Sequence, residues 1–285
     1  MSIVVTGATG HLGRQVVEQL LARGATPAGI LAGGRNPEAL HELAALGVRT
    51  ARIDYNDPAT LEAAFADAEK VLLISGTEVG QRVPQHHAVI EAAQRVNATV
   101  VYTSAPKAST SALVLAPEHK ATEELLEASG LTHTVLRNSW YTENYDETIH
   151  QGVATGALLT STGTGRIASA PRRDYAEAAA VVLLSKEHDG AVLELAGDAP
   201  WTFEELAATI TEVSGREVRV EQLSTEEHLA ALTSFGLDAG TAGFITALDA
   251  NIAEGLLADS DGTLARLIGR PTTTLTEHVR TLLAE

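Results

Sequence analysis

Short apolar, β-branched runs alternate with helix-period segments from residue 2 to residue 138, and this alternation constrains the fold more than any single motif. The runs at 2–6, 28–33, 48–54, 70–75, 99–104 and 132–138 read as strands. The segments at 11–24, 36–47, 57–68, about 84–96 and 116–130 read as helices. In the first helix Leu12, Val16, Val17, Leu20 and Leu21 recur at helical spacing, and Gly24 supplies a C-terminal cap. The next two open on Asn36–Pro37 and Asp57–Pro58, an N-cap followed by a proline whose missing N–H is not needed there. Strands separated by helices of this length join as βαβ units into a parallel sheet. A run as uniformly apolar as VLLIS (71–75) is buried on both faces, so helices cover both sides of that sheet.

Beyond residue 150 the pattern loosens. Residues 152–169 are glycine-rich with no helical period and read as short strands and a substrate loop. Residues 173–185 read as a helix capped by Asp174, 191–198 as a strand, 202–215 as a helix, 217–224 as a strand and the rest mostly as helix. The expected class is α/β, a Rossmann-type doubly wound parallel sheet with a smaller α+β C-terminal lobe. Residues 1–150, together with about 173–198, would form the nucleotide-binding body and 151–285 the smaller lobe, with a ligand cleft between them.

Composition excludes several classes. Acids outnumber bases 37 to 20, for a formal charge of −17, and no basic cluster interrupts them, which argues against nucleic acid or an anionic membrane as partner. There is no cysteine, hence no disulfide, thiol nucleophile or thiolate metal site. No apolar run approaches the ~20 residues of a membrane span, and the chain enters a strand at once without a leader, so a cytoplasmic protein is expected. His86 and His87 are adjacent and point apart on a helix; no ligand-spaced pair occurs, and no metal site is expected.

Residues 5–14, VTGATGHLGR, set Gly7, Gly10 and Gly13 three apart between the first strand and the first helix. A helix N-terminus presents unpaired N–H groups and the positive end of its dipole, which together favour an anion. Gly7 permits the tight turn, Gly10 the close approach of a diphosphate, and Gly13 the packing of helix on strand, with the Thr6 and Thr9 hydroxyls beside them. The spacing is G-x-x-G-x-x-G, not the G-x-G-x-x-G of the dehydrogenase fingerprint, yet the strand before and the helix after supply the context a dinucleotide site requires. The second strand ends LAGGRNP, with no acid at its tip to hold a ribose 2′-hydroxyl. Arg35 stands there instead, behind two glycines that leave room, and a guanidinium suits a phosphate dianion. NADP(H) is the expected cofactor; the alternative is a solvated surface arginine. Asp54 and Tyr55, at the end of the third strand, are candidates for the adenine edge.

None of Tyr55, Tyr102, Tyr141, Tyr145 and Tyr175 has a lysine four residues on, so the tyrosine–lysine dyad that protonates a reduced carbonyl is missing. A hydride donor without a proton donor suits an electron-poor acceptor, a quinone or a cationic dye carbon, whose product water can protonate. LRNSWYTENY (136–145) follows the sixth strand, at the carboxyl edge where such sheets bind ligands. Trp140, Tyr141 and Tyr145 offer a planar slot, and Asn138 and Asn144 could hold a carboxamide or an acceptor oxygen; the alternative is an aromatic core cluster. After the fourth strand Ser75 and Gly76 would pass under the cofactor and Gln81 would reach the ligand, unless this is a plain connecting loop. His119 and Lys120, at the head of the helix that follows the fifth strand, could face the ring.

Taken together, VTGATGHLG, GRNP, LLISGTEVGQR, LRNSWYTENY, RDYA, ELAGD and IGRPTT resemble the NmrA-like atypical short-chain dehydrogenase/reductase family over essentially the whole chain, closest to its NADPH-dependent quinone and triphenylmethane reductases. The resemblance implies an NADPH-binding Rossmann domain with Gly7, Gly10, His11, Leu12 and Gly13 on the diphosphate and Arg35 on the 2′-phosphate. It also implies Ser75 beside the nicotinamide ribose and Trp140, Tyr141 and Asn144 near the acceptor. This chain departs at His11, where close relatives carry Gln, and at Lys120, where they carry an apolar residue. A Lys120 that reached the ligand would join Tyr141 and Asn144 as a catalytic group and extend the range to carbonyls or enones. The expected function is hydride transfer from NADPH to an electron-poor small molecule, most of all a quinone. The alternatives are a dye or enone reductase, or a non-catalytic NAD(P) sensor; a homodimer is left open.

Overall fold

Strand β1 (Ile3–Val5), wholly apolar and buried, is an interior strand, third in a sheet of seven. The computed structural model describes residues 2–284. After β1 the chain forms α1 (His11–Ala22), β2 (Ile30–Gly34), α2 (Pro37–Ala45), β3 (Arg49–Arg52), α3 (Pro58–Phe65), β4 (Lys70–Leu73), α4 (Arg82–Val96), β5 (Thr99–Ser104), α5 (Ala116–Ser129) and β6 (His133–Asn138). It continues through α6 (Asp146–Thr155), β7 (Ala157–Thr160), α7 (Arg172–Leu184), β8 (Val192–Leu195), α8 (Phe203–Ser214), β9 (Arg219–Gln222), α9 (Thr225–Ser234), α10 (Ala239–Ala253), α11 (Thr263–Ile268) and α12 (Leu275–Leu282).

The large sheet has the order β3-β2-β1-β4-β5-β6-β8, and every neighbouring pair is parallel. The chain winds outward from β1 to β3, then returns to place β4 on the other side of β1, with Val4 in register with both Leu31 and Val71. The loops leaving β1 and β4 therefore diverge at the carboxyl edge, the position where open parallel sheets bind ligands. One face of the sheet is packed by Leu61 and Phe65 of α3, Val89 and Ile90 of α4 and Leu126 of α5. On the other face α1 packs against α7, whose Ala176, Ala178, Ala179 and Ala180 permit a close approach. Lys70 is buried at the foot of β4, and its ammonium donates to the carbonyls of Val182 and Ser185 at the end of α7. Cations are favoured at that end of a helix dipole.

The chain divides into two compact units. The first comprises the chain up to Ser109, Leu115–Asn138 and Arg172–Leu195; the second comprises Thr110–Val114, Ser139–Pro171 and the chain from Ala196 onward. The division falls after Asn138 rather than at residue 150, because the segment that follows β6 turns into α6, which packs on α8. In the second unit β7 pairs in parallel with β9.

Two local expectations need correction. Residues 146–155 are helical, so the glycine-rich stretch from 152 does not begin as irregular chain. Gly152 hides the period: it lies within α6 because a Cβ there would come within 2.6 Å of Leu158 Cδ2. Helix α7 opens at Arg172, which places Asp174 inside the first turn and fully buried rather than at the cap. Among the described residues no helix is long and apolar enough to cross a membrane, and no cluster of three side chains could hold a metal ion.

Candidate cofactor and acceptor site

The loop from β1 to α1 is shaped by close backbone contact. Gly7 takes φ +61°, and Gly10 N–H donates to the Gly7 carbonyl at 3.0 Å. A Cβ on Gly13 would stand 2.3 Å from the Gly7 oxygen and 2.7 Å from Ala8 Cα, so glycine is obligatory there. Helix α1 has Gly10 as its N-cap, with no side-chain cap and no acidic residue in its first turn. Its first N–H groups thus remain available to an anion, and a Cβ at Gly10 would crowd the approach. His11 is exposed at the helix start, and Leu12 is buried beneath it. This cradle fits the diphosphate of a dinucleotide.

Thr6 does not join it. Its hydroxyl is buried, donates to the Leu72 carbonyl at 2.8 Å and meets the Tyr55 hydroxyl, which in turn donates to the Ile74 carbonyl at 2.8 Å. The Tyr55 hydroxyl therefore ties three strand ends together while the residue stays half-buried, and burial pushes that hydroxyl well above the usual tyrosine range. Asp54 accepts from Asn56 N–H at 3.1 Å and lies 3.4 Å from the Arg52 guanidinium, in a turn closed by Thr60. The two glycines before Arg35 are also packing devices. A Cβ on Gly33 would strike Ile53 Cδ1 at 2.1 Å, and one on Gly34 would strike Thr9 Oγ1 at 2.3 Å. The space they leave is filled by protein, while Arg35 itself is exposed at the strand tip.

The loop from β4 to α4 is held from outside. Ser75 N–H donates to Thr103 Oγ1 at 2.9 Å. Gly76 is gripped on both sides of its residue: its N–H donates to His86 Nε2 at 2.9 Å, and its carbonyl accepts from Arg82 Nε at 2.6 Å. A Cβ on Gly76 would meet Gln85 Oε1 at 2.8 Å. Because His86 Nε2 accepts, its proton sits on Nδ1, which donates to Thr122 Oγ1 at 2.9 Å. Burial, aided by the nearby Arg82 charge, lowers the His86 pKa to about 4 and keeps the ring in this neutral tautomer. Further along, Gly80 N–H donates to Glu118 Oε1 at 2.9 Å, and Glu118 also pairs with Arg82 at 3.6 Å. Gln81 is exposed at the start of α4.

His119 points inward. It is buried, hydrogen-bonded to the Tyr102 hydroxyl at 2.8 Å, and its pKa is lowered to about 3 by burial and then by the Arg82 charge. Lys120, next to it, is exposed, with Glu124 one turn on at 3.9 Å. The pair does not share a face, as adjacency on a helix dictates.

Asn138 ends β6, buried and in register with Leu195. In the second unit Tyr141 bridges Ala170, with Thr142 N–H donating to the Ala170 carbonyl at 3.1 Å. Tyr145 belongs to the core of that unit. It is buried edge-on against Trp201 and Phe203, with centroids 5.0 and 5.7 Å away, and burial raises its hydroxyl pKa well above the ordinary value. Trp140 and Tyr141 are half-buried and Asn144 is exposed, so these three keep surface that a planar ligand could meet.

A family model described as NAD(P)H-binding matches residues 7–186. The chain belongs to this NAD(P)H-binding family. Quinone oxidoreductase 2 of Escherichia coli is 46% identical over 97% of both chains. An NmrA-like family oxidoreductase of Aspergillus flavus is 31% identical across the whole chain and 96% of its own. Among solved structures, the E. coli NADPH-dependent quinone oxidoreductase complexed with NADPH superimposes with a TM-score of 0.94 over 99% of each chain. Triphenylmethane reductase of Citrobacter sp. complexed with NADP(H) superimposes with 0.93 at 36% identity, over 99% of this chain and 100% of its own.

As a member of the NAD(P)H-binding family the protein carries the glycine cradle where its match begins, at Gly7. Reading the sequence missed Arg82, Gln85, His86 and Glu118, the side chains that shape the second loop. The adjacent His86–His87 pair and the buried face of α4 were the available signals, but nothing in the spacing links His86 to Gly76.

Proposed function

We propose that the protein is an NADPH-dependent reductase that delivers hydride to an electron-poor small molecule, with a quinone as the favoured acceptor. The observation that carries this reading is the full-length likeness, in sequence and backbone, to a quinone oxidoreductase solved with NADPH. Bound NADPH would supply the hydride, and the chain would supply binding and orientation. The α1 N-terminus with Gly7, Gly10 and Gly13 would take the diphosphate, and Arg35 the 2′-phosphate. Ser75 and Gly76, fixed by Thr103, His86 and Arg82, would flank the nicotinamide ribose. Trp140, Tyr141 and Asn144 would meet the acceptor, with Tyr145 bracing their segment from the core. No tyrosine–lysine dyad is needed, since a two-electron-reduced quinone takes its proton from water.

A second acceptor class, cationic triphenylmethane dyes, is favoured by the likeness to the Citrobacter enzyme. The test is loss of reduced-nicotinamide absorbance with NADPH and with NADH against a benzoquinone, a naphthoquinone, a triphenylmethane dye and an activated enone. Rapid NADPH oxidation by a quinone supports the first reading, and by the dye alone the second. Oxidation by the enone alone would point to Lys120. Binding of NADPH with no turnover on any acceptor would overturn the enzyme reading in favour of a sensor. Tyr141→Ala should slow turnover and leave NADPH affinity unchanged; loss of NADPH binding would remove Tyr141 from the acceptor's neighbourhood.

A further inference from the structure

Dinucleotide folds that select an unphosphorylated adenosine ribose place an acid where it accepts from the 2′-hydroxyl, and those that select the 2′-phosphate place an arginine there. Here both groups meet at one point. Arg35 Nη1 donates to Glu78 Oε1 at 3.0 Å, and Glu78 arrives from the β4–α4 loop rather than from the tip of β2. The other carboxylate oxygen of Glu78 accepts from Gln85 Nε2 at 3.2 Å, and that amide also reaches Asn56 Oδ1 at 3.4 Å. Gln85 is only 4% exposed, fixed on α4, and the Glu78 carbonyl accepts from Gln81 N–H at 3.0 Å. The carboxylate is therefore aimed at Arg35 by a buried partner. Glu78 itself is exposed, its side chain 44% accessible, and the hydrogen bond from buried Gln85 is what biases the carboxylate toward Arg35.

We infer that Glu78 is a specificity-determining residue: its carboxylate competes with the 2′-phosphate for Arg35 and offers an acceptor to a bare 2′-hydroxyl, so it narrows the preference for NADPH over NADH. The inference rests on the assignment of Arg35 to the 2′-phosphate made above. The charges give its direction. A dianion seated on Arg35 would lie within roughly 4–6 Å of Glu78, where like charges repel. The uncharged ribose of NADH meets no such repulsion and gains a hydrogen-bond acceptor. A carboxylate that merely supported the loop would affect both cofactors alike.

The experiment is titration of the unliganded protein with NADPH and with NADH, read by cofactor fluorescence without acceptor, for wild type, Glu78→Gln and Arg35→Ala. Competition by adenosine 2′,5′-bisphosphate and by adenosine 5′-phosphate isolates the 2′-phosphate subsite. Glu78→Gln should bind NADPH about fivefold more tightly, the upper range for an exposed ion pair. It should bind NADH no better than wild type, with an unchanged melting temperature. The gain should appear with the bisphosphate, vanish with the monophosphate, and shrink as added salt screens the charges. If Glu78→Gln shifts NADPH and NADH equally, or weakens NADPH, Glu78 does not set specificity. Arg35→Ala keeps the two claims apart. Selective loss of NADPH there, with no change in the cofactor ratio for Glu78→Gln, overturns only the role of Glu78. Equal loss of both cofactors in Arg35→Ala overturns the phosphate assignment itself.

Discussion

The loops that follow β1 and β4 leave the same edge of the sheet from adjacent strands, yet opposite means hold them in shape. The β1 loop is built from missing side chains: Gly7 turns, and Gly13 lets the helix backbone approach the Gly7 carbonyl. The β4 loop is built from other residues' side chains, with Thr103, His86, Arg82, Glu118 and Gln85 each binding a group of residues 75–80. The difference follows from what each offers a ligand. The β1 loop ties the N–H groups of Ala8 and Gly10 to the Gly33 and Gly7 carbonyls, leaves those of the first turn of α1 for a phosphate, and relies on close packing for the rest. A loop that meets a ligand through an exposed edge can be anchored through its own backbone.

Substitutions should separate the two regimes. The largest effect on cofactor binding is expected from Gly13→Ala, whose new Cβ would overlap backbone atoms that cannot move aside. A loss of about 1–3 kcal/mol in urea unfolding should accompany loss of NADPH binding; an alanine variant that binds normally would show that packing does not hold this loop. Next comes acid. His86 and His119 stay neutral in the fold down to about pH 4 and about pH 3, whereas in the unfolded chain both take up protons below ~6.5. Stability is therefore fully present above about pH 6.5 and falls as pH drops toward 4, with His86 contributing on the order of 3 kcal/mol to the decline. Urea midpoints measured from neutral pH to about pH 4.5 check this, and a flat profile would mean the rings are not buried neutral. His86→Leu should be more local. It leaves the Gly76 N–H without its acceptor, at a cost of roughly 1–3 kcal/mol, and should raise the NADPH KM several-fold, with partial rescue by His86→Gln. The smallest effect belongs to Glu118→Gln, which keeps an acceptor for Gly80 and loses only the charge facing Arg82 at 3.6 Å. A change below about 1 kcal/mol is expected, and a large loss in NADPH affinity would show that the β4 loop depends on charge rather than on hydrogen bonds.

The same contrast explains what reading the chain revealed. The strands and helices up to Asn138 were legible because each repeats one local rule, an apolar run, a cap, a helical period. The glycine loop was legible because its physics lies in consecutive residues. The grip on Gly76 was not, since His86, Arg82 and Gln85 meet it only after α4 folds back over the strand end. Gly33 and Gly34 were noticed but misread, because their reason lies in Ile53 and Thr9, which no spacing rule connects to them. Tyr145 was assigned to the ligand by its neighbours in sequence, whereas its neighbours in space are Trp201 and Phe203. The helix at 146–155 escaped because its interior glycine answers to packing rather than to propensity.

The pairing of α1 with α7 bears on how the chain is made. Leu12, Val16, Val17 and Leu20 leave the ribosome early, but the helix that covers them begins only at Arg172. During synthesis at ~5–20 residues per second, that apolar stripe waits about 8–30 s for its cover. β6 waits a shorter time, since β8 completes its side of the sheet at Leu195. The nascent first unit therefore carries an uncovered helix through more than half of translation, and it closes only when the chain has returned from residues 139–171.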